Sequence, residues 1–200
     1  MPARRFYDLV YRLGRAPWDI GPRQELVDLV NGGRLTPCRA VDLGCGTGAN
    51  AMFLAEHGFE VTGIDFSPVA LTKAAARAGP TVRWLQGDLT ALPDHLGPFD
   101  LLVDYGTLDD LGPADRDRYL ANVLPLAAPE ARFLLWCFQW PPRWLDRRLG
   151  FQTMTPGEVE RRFGATYHIE CIAGTPTPRM WRPIPGFAAY LMTKRTEPAP

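Results

Sequence analysis

Val41-Asp42-Leu43-Gly44-Cys45-Gly46-Thr47-Gly48-Ala49-Asn50 joins an apolar run to a helix-forming stretch through three glycines that alternate with small residues. Glycine accepts positive φ and lets a ligand come close to the main chain. Unpaired N–H groups at the start of the following helix are expected to face the same space.

Outward from this turn the chain reads as strand and helix in alternation. Strands are predicted at 39–43, 60–65, 82–86, 99–103 and 132–138. Helices are predicted at 49–57, 68–78 and 115–127. Ser67-Pro68 supplies an N-cap and a proline at the first helical position. Thr155-Pro156-Gly157-Glu158 reads as a capping box with Pro156 opening a helix to Phe163. Two further strands, 166–173 and 186–193, are separated by a proline-rich loop without a helical pattern, which favours an antiparallel pair at one edge. The fold class is therefore α/β: a doubly wound, seven-stranded, mostly parallel sheet with an antiparallel last strand. Residues 1–200 form one domain, with an N-terminal helical lid or cap at 1–36 and an α/β core at 39–193. Phe6, Leu9, Val10 and Leu13 fit one helical face, so the aromatic-rich start must dock rather than trail.

Twenty-two basic and 22 acidic side chains cancel, leaving no general drive toward nucleic acid or an anionic membrane. The four cysteines have no Cys-x-x-Cys spacing and read as free thiols. No apolar run approaches the ~20 residues of a membrane span, and Asp8 and Arg12 interrupt any signal-peptide pattern. A cytoplasmic protein with no membrane or nucleic-acid partner is expected.

A dinucleotide turn has Gly-x-Gly-x-x-Gly spacing. Here the third glycine comes one residue early and an acid, Asp42, precedes the first. This resembles motif I of the class I S-adenosylmethionine (SAM)-dependent methyltransferases, over 39–193. The resemblance implies a Rossmann-like fold, SAM as cofactor and S-adenosylhomocysteine (SAH) as product. It places Asp42 near the methionine ammonium and Gly44, Cys45, Gly46 and Gly48 against the cofactor. Asp65 would accept hydrogen bonds from the ribose hydroxyls, with Phe66 against adenine. Asp88 would meet the adenine amine and Leu89 the ring. Asp104 and Tyr105 would lie near the methionine and the transferred methyl, where they are the nearest candidates for acid–base help; no catalytic residue is assigned. Asp65 ends a strand, so its removal is expected to leave the fold intact.

Asp104-Tyr105-Gly106-Thr107 lacks the Asn/Asp-Pro-Pro-Tyr/Phe pattern of enzymes that methylate base amino groups, which argues against DNA amino methylation. No metal is expected: Asp109 and Asp110 read as a cap for the next helix, and the histidines are dispersed. Tyr11 to Asp19 resembles the lead segment of small bacterial methyltransferases related to the thiopurine and tellurite enzymes. Trp18 is expected to cover the cofactor. Tyr11, Trp140, Trp144 and Trp181 are expected to line the site of a small, aromatic or apolar acceptor. The competing readings are a non-catalytic SAM-binding module and a nicotinamide-dependent oxidoreductase, the latter disfavoured by the glycine spacing.

Overall fold

The computed structural model describes residues 2–14, 16–78, 81–93, 95–140, 152–174 and 186–196. Trp144 and Trp181 lie outside the described residues. The strands are β1 Arg39–Leu43, β2 Glu60–Asp65, β3 Val82–Gln86, β4 Phe99–Tyr105, β5 Ala127–Phe138, β6 Tyr167–Gly174 and β7 Phe187–Lys194. The helices are α1 Pro2–Leu13, α2 Gln24–Asn31, α3 Ala49–Glu56, α4 Pro68–Ala78, α5 Pro113–Val123 and α6 Glu158–Phe163. Among the described residues one seven-stranded sheet runs in the order β3-β2-β1-β4-β5-β7-β6. β3 to β5 are parallel neighbours. β7 is antiparallel to both β5 and β6. The strand order reverses between β1 and β4, and ligands of such sheets bind beyond the carboxyl ends at that point.

Alternation along each strand feeds two apolar layers. On one face Leu26 and Leu29 of α2, with Ala51 and Leu54 of α3, cover Ala40, Val61, Leu101, Val103, Leu134 and Leu191. On the other, Tyr119 and Val123 of α5, with Val159 and Phe163 of α6, cover Val41, Leu102, Phe133, Leu135 and Tyr190. Each fully buried large apolar side chain contributes about 1.5–3 kcal/mol, so these layers hold the strand ends in fixed positions.

Of two capping expectations, one changes. Ser67 does cap α4, accepting the Ala70 N–H at 3.2 Å. The capping box at Thr155 does not open its helix at Pro156. Gly157 has φ +77 and helical residues begin at Glu158, because a left-handed residue cannot belong to an α-helix. Glu158 still turns back to accept from the Thr155 N–H and hydroxyl, both at 3.0 Å.

α1 docks by a different face from the expected one. Phe6, Leu9 and Leu13 are 57%, 52% and 79% exposed, while Tyr7, Val10 and Tyr11 pack with Ala16, Trp18, Val69 and Ala70. Polar contacts decide the orientation. The Ser67 hydroxyl donates to Asp8, the Tyr7 hydroxyl to Asp110, and the Lys73 ammonium to the carbonyls of Tyr11 and Gly14. Among the described residues no helix is long and apolar enough to cross a membrane.

Candidate active site

Gly44, Gly46 and Gly48 all have positive φ, at 73°, 54° and 83°, but each is glycine for its own steric reason. A Cβ on Gly44 would collide with the Thr107 side chain, whose hydroxyl donates to the Leu43 carbonyl at 3.1 Å. A Cβ on Gly48 would collide with the Trp84 indole, and one on Gly63 would come within 2.5 Å of the same ring. Only Gly46 opens toward the mouth of the site, where a Cβ would stand 2.8 Å from the Tyr11 hydroxyl. The turn's amides are largely spent inside the fold. Gly44 and Cys45 donate to the Ile64 carbonyl, and Gly48 to that of Cys45. Gly46 donates to Asp65 at 2.8 Å. The Cys45 thiol packs toward Gly63, so Cys45 offers the site its backbone alone.

Asp42, at 2% exposure, has its Oδ2 buried without a hydrogen-bond partner. An unpaired buried acceptor costs about 1–3 kcal/mol. Burial pushes its carboxyl up to about 7; the charge of Asp104 adds to this and the Ala51 N–H opposes it. Asp65 is also buried, at 4% exposure. Its Oδ1 accepts from the Ser67 N–H and its Oδ2 from the Gly46 N–H, each at 2.8 Å. Burial raises its pKa, against the pull of those two amides. The carboxylate therefore ties the glycine turn to the end of β2, and the sequence-based expectation that the fold is indifferent to its loss is revised.

Beyond Asp65 an open hollow of about 240 Å³ is lined by Phe66, Gln86, Gly87 and Asp88. Asp88 Oδ1 accepts from the Thr90 N–H and hydroxyl at 2.9 and 2.7 Å, and Leu89 is buried beside it. From Asp42 through Gly46 and Asp65 to this hollow, the groups named from the sequence follow one path along the carboxyl ends of β1, β2 and β3. The orphaned Asp42 oxygen and the bare Gly46 fit a cofactor with an ammonium group at one end and a flat ring at the other. A slightly larger hollow, about 280 Å³, lies among Arg39, Glu60, Thr62, Arg83, His95 and Phe99. It opens at the opposite ends of the strands, away from these groups.

Asp104 sits elsewhere. Its Oδ1 accepts from the Thr107 N–H at 2.9 Å and its Oδ2 from the Tyr119 hydroxyl at 2.6 Å. Burial lifts it to about 6, against those two hydrogen bonds. Tyr105 turns to the α2 side and stacks on Trp136, with centroids 6.3 Å apart and 20° between planes. Trp136 stacks in turn on Phe187 at 5.5 Å and 20°. Phe138 stands edge-on to Trp136 and to Trp140, at 4.8 and 5.8 Å. The Arg23 guanidinium lies 5.8 Å from the Tyr105 ring and 5.7 Å from the Trp136 ring, a cation–π arrangement. Asp109 and Asp110 cap nothing: α5 begins after Gly112 with no side-chain cap. Asp109 instead accepts from the Phe138 N–H at 3.0 Å.

Tyr11, expected on the acceptor side, lies over the glycine turn and is 5% exposed. Trp18 donates from Nε1 to the Tyr11 hydroxyl at 3.1 Å, and its ring meets those of Tyr7 and Tyr11 edge-on. Tyr7 also meets Phe66 at 5.9 Å. Burial holds the Tyr11 phenol far above its ordinary pKa, with the Trp18 N–H opposing. Sequence reasoning gave no site role to Arg23, Thr107 or Trp84 and read Asp109 as a helix cap. Only Trp84, an indole facing two glycines across neighbouring elements, left a signal, and that signal is visible only once β2 and β3 are paired.

A family model described as a methyltransferase domain matches residues 40–130. A demethylmenaquinone methyltransferase of Thermus thermophilus is 33% identical over 198 residues, which cover 92% of this chain and 87% of that one. A 2-heptyl-1-hydroxyquinolin-4(1H)-one methyltransferase of Mycobacteroides abscessus is 31% identical over 136 residues, covering 64% of this chain and 60% of that one. Among solved structures, the Burkholderia thailandensis 1,6-didemethyltoxoflavin-N1-methyltransferase, crystallised with its substrate and SAH, aligns with a TM-score of 0.71 at 22% identity. The alignment covers 98% of this chain and 88% of that one, and at that identity the likeness concerns the fold. With the acid-preceded glycine turn and this strand order, the near full-length relationship places the chain in the class I SAM-dependent methyltransferase family.

Proposed function

We propose that this methyltransferase acts on a small, aromatic or apolar acceptor that sits beside the Tyr105–Trp136–Phe187 stack, under a lid formed by the N-terminal segment. The carrying observation is that stack, which lies at the carboxyl ends of β4 and β5 and the amino end of the antiparallel β7. Aromatic walls with a few polar groups are the usual lining of a small-molecule site. The names of the Thermus and Mycobacteroides relatives, both methylating ring systems, support the same class. SAM, when bound, supplies the electrophilic methyl. Asp42 Oδ2, buried without a partner, would hold its ammonium. Asp65 takes the ribose hydroxyls on the lone pairs left beside its two amides. Phe66, Asp88 and Leu89 hold the adenine. Asp104, bound to Thr107 and Tyr119 inside the fold, contributes through its charge on Asp42. Purified protein incubated with labelled SAM and a panel of quinols, hydroxyquinolines and aryl thiols tests this. Binding of SAM with no methylated product from any of them would favour the non-catalytic binding module.

The Asp42 assignment predicts a pH dependence. The protonated carboxyl cannot hold an ammonium, so affinity for SAH should fall as pH drops through about 7, by up to about tenfold per unit. The same elevation makes Asp42's own contribution to ligand-free stability largest at low pH and progressively smaller between the ordinary Asp range and about 7, because the folded state binds the extra proton. Calorimetric titration at pH 5.5 and 8 checks the first effect, and an Asp42→Asn protein should lose the dependence. A flat profile in the wild type means that Asp42 does not meet the ammonium.

The lid assignment predicts that Trp18→Ala weakens SAH binding by about 1–3 kcal/mol, the scale of one buried aromatic contact. Tryptic cleavage after Arg12, an exposed residue at the end of α1, should slow when SAH is present. Equal cleavage with and without ligand would reduce the segment to a fixed anchor.

A further inference from the structure

Asp109 is a buried carboxylate that the cofactor path does not use. It is 2% exposed, and its Oδ1 has no hydrogen-bond partner while Oδ2 accepts from the Phe138 N–H. Such an oxygen is costly unless function supplies its partner. Its surroundings say what that partner is. Gly106 has φ +83, and a Cβ there would lie 3.9 Å from Asp109 Oδ1 and 3.9 Å from the Trp136 ring. The missing side chain leaves a slot about one atom wide, with a carboxylate oxygen on one side and an indole on the other. The Gly106 N–H donates to the Trp136 carbonyl at 3.0 Å, which fixes the slot's floor. Thr107, the next residue, packs against Gly44, so the slot borders the turn above Asp42. On its outer side Phe138 and Phe187 remain 41% and 36% exposed, an apolar surface continuous with the indole.

We propose that a planar aromatic acceptor lies on the Trp136–Phe138–Phe187 surface, that its ionisable hydroxyl, thiol or ring N–H enters this slot, and that Asp109 Oδ1 receives its proton. The inference rests on the small-molecule methyltransferase reading above. In the transfer, a lone pair of the acceptor atom forms the new bond to the methyl carbon. The sulfur–methyl pair stays on sulfur as the sulfonium becomes a thioether. The acceptor's proton passes to Asp109, which goes from carboxylate to carboxylic acid. The ring stays on the exposed Phe138 and Phe187 surface, and only its ionisable atom enters the slot. Burial lifts the Asp109 carboxyl to about 7; the Phe138 N–H pulls it down, the charge of Asp104 pushes it up, and Arg116 pulls it down. A group poised there takes a proton near neutrality and returns it. Asp104 from β4, Arg116 from α5, Cys137 from β5 and Glu158 from α6, paired with Arg116, are the titratable or charged groups around it.

The test is binding to the full-length protein saturated with SAH, by ligand-observed NMR titration with 2-naphthol and its methyl ether, 2-methoxynaphthalene. Asp109→Asn keeps an acceptor for the Phe138 N–H and replaces Oδ1 by an N–H donor, so the fold is retained. Its affinity for 2-naphthol should fall about tenfold or more, while 2-methoxynaphthalene binds wild type and variant alike. Wild-type affinity for 2-naphthol should fall as pH drops through about 7, and the variant's should not. Trp136→Ala should weaken both probes. Equal 2-naphthol affinity in wild type and Asp109→Asn overturns the proposal, as does a SAH-bound wild type that takes neither probe. A wild type that fails to hold SAH sinks the parent reading instead, and this one with it.

Discussion

Asp65→Ala is expected to lose both stability and at least tenfold in SAM affinity. Both carboxylate oxygens accept backbone N–H groups, from Gly46 and Ser67, at a position only 4% exposed. Hydrogen bonds to a charged group contribute about 1.5–3 kcal/mol each, and orphaned buried donors cost a similar amount. Urea unfolding of the ligand-free variant should therefore register a loss of about 2–5 kcal/mol. Affinity falls for two reasons: the acceptor for the ribose hydroxyls is gone, and the glycine turn is no longer held to β2. Asp65→Asn, which keeps one acceptor oxygen, should fall between the variant and the wild type on both measures. A folded Asp65→Ala protein with unchanged affinity would refute the ribose assignment. Unchanged stability would mean that the two amides find other partners.

Gly46→Val should abolish measurable SAM binding. Gly46 has φ +54, a region that a β-branched residue reaches only under strain. Its Cβ would press on the Tyr11 hydroxyl at 2.8 Å. Relief requires the turn to move, breaking the hydrogen bond that the Gly46 N–H donates to Asp65, or Tyr11 to move, lifting α1. Either way the cofactor path is disrupted in its middle. The variant should show no calorimetric signal with SAH, together with fast tryptic cleavage after Arg12. Wild-type affinity would mean that the turn is not the site.

The sheet was legible because strand and helix periods differ sharply. β1, β2, α4 and β3 fall within the bounds expected from pattern alone, and the glycine spacing with its acid carries the cofactor class. What stayed hidden depends on long-range geometry. Nothing local says that Gly48 and Gly63 are small for Trp84 rather than for a ligand. α1 has two apolar faces, Phe6/Leu9/Leu13 and Tyr7/Val10/Tyr11. Bulk hydrophobicity favours neither; Ser67, Lys73 and Asp110, distant in sequence, choose the second through Asp8, Tyr7 and the Tyr11 carbonyl. Asp104 and Asp109 are chemically identical on paper. One meets Tyr119 and the other a glycine slot, a difference set by how β4 runs into α5.

The position of β7 bears on how the chain reaches this structure. β6 touches the sheet only through β7, which fills the gap beside β5. Until residues 187–194 arrive, β5 presents a bare hydrogen-bonding edge and β6 has no template, although it precedes β7 in the chain. Pairing β5 with β7 closes a loop of roughly fifty residues, a slow, non-local event. The half-built sheet that waits for it exposes the kind of edge on which chains stick to one another. Refolding yield should therefore fall with protein concentration, and substitutions that weaken β7 should depress it well before they lower the melting temperature.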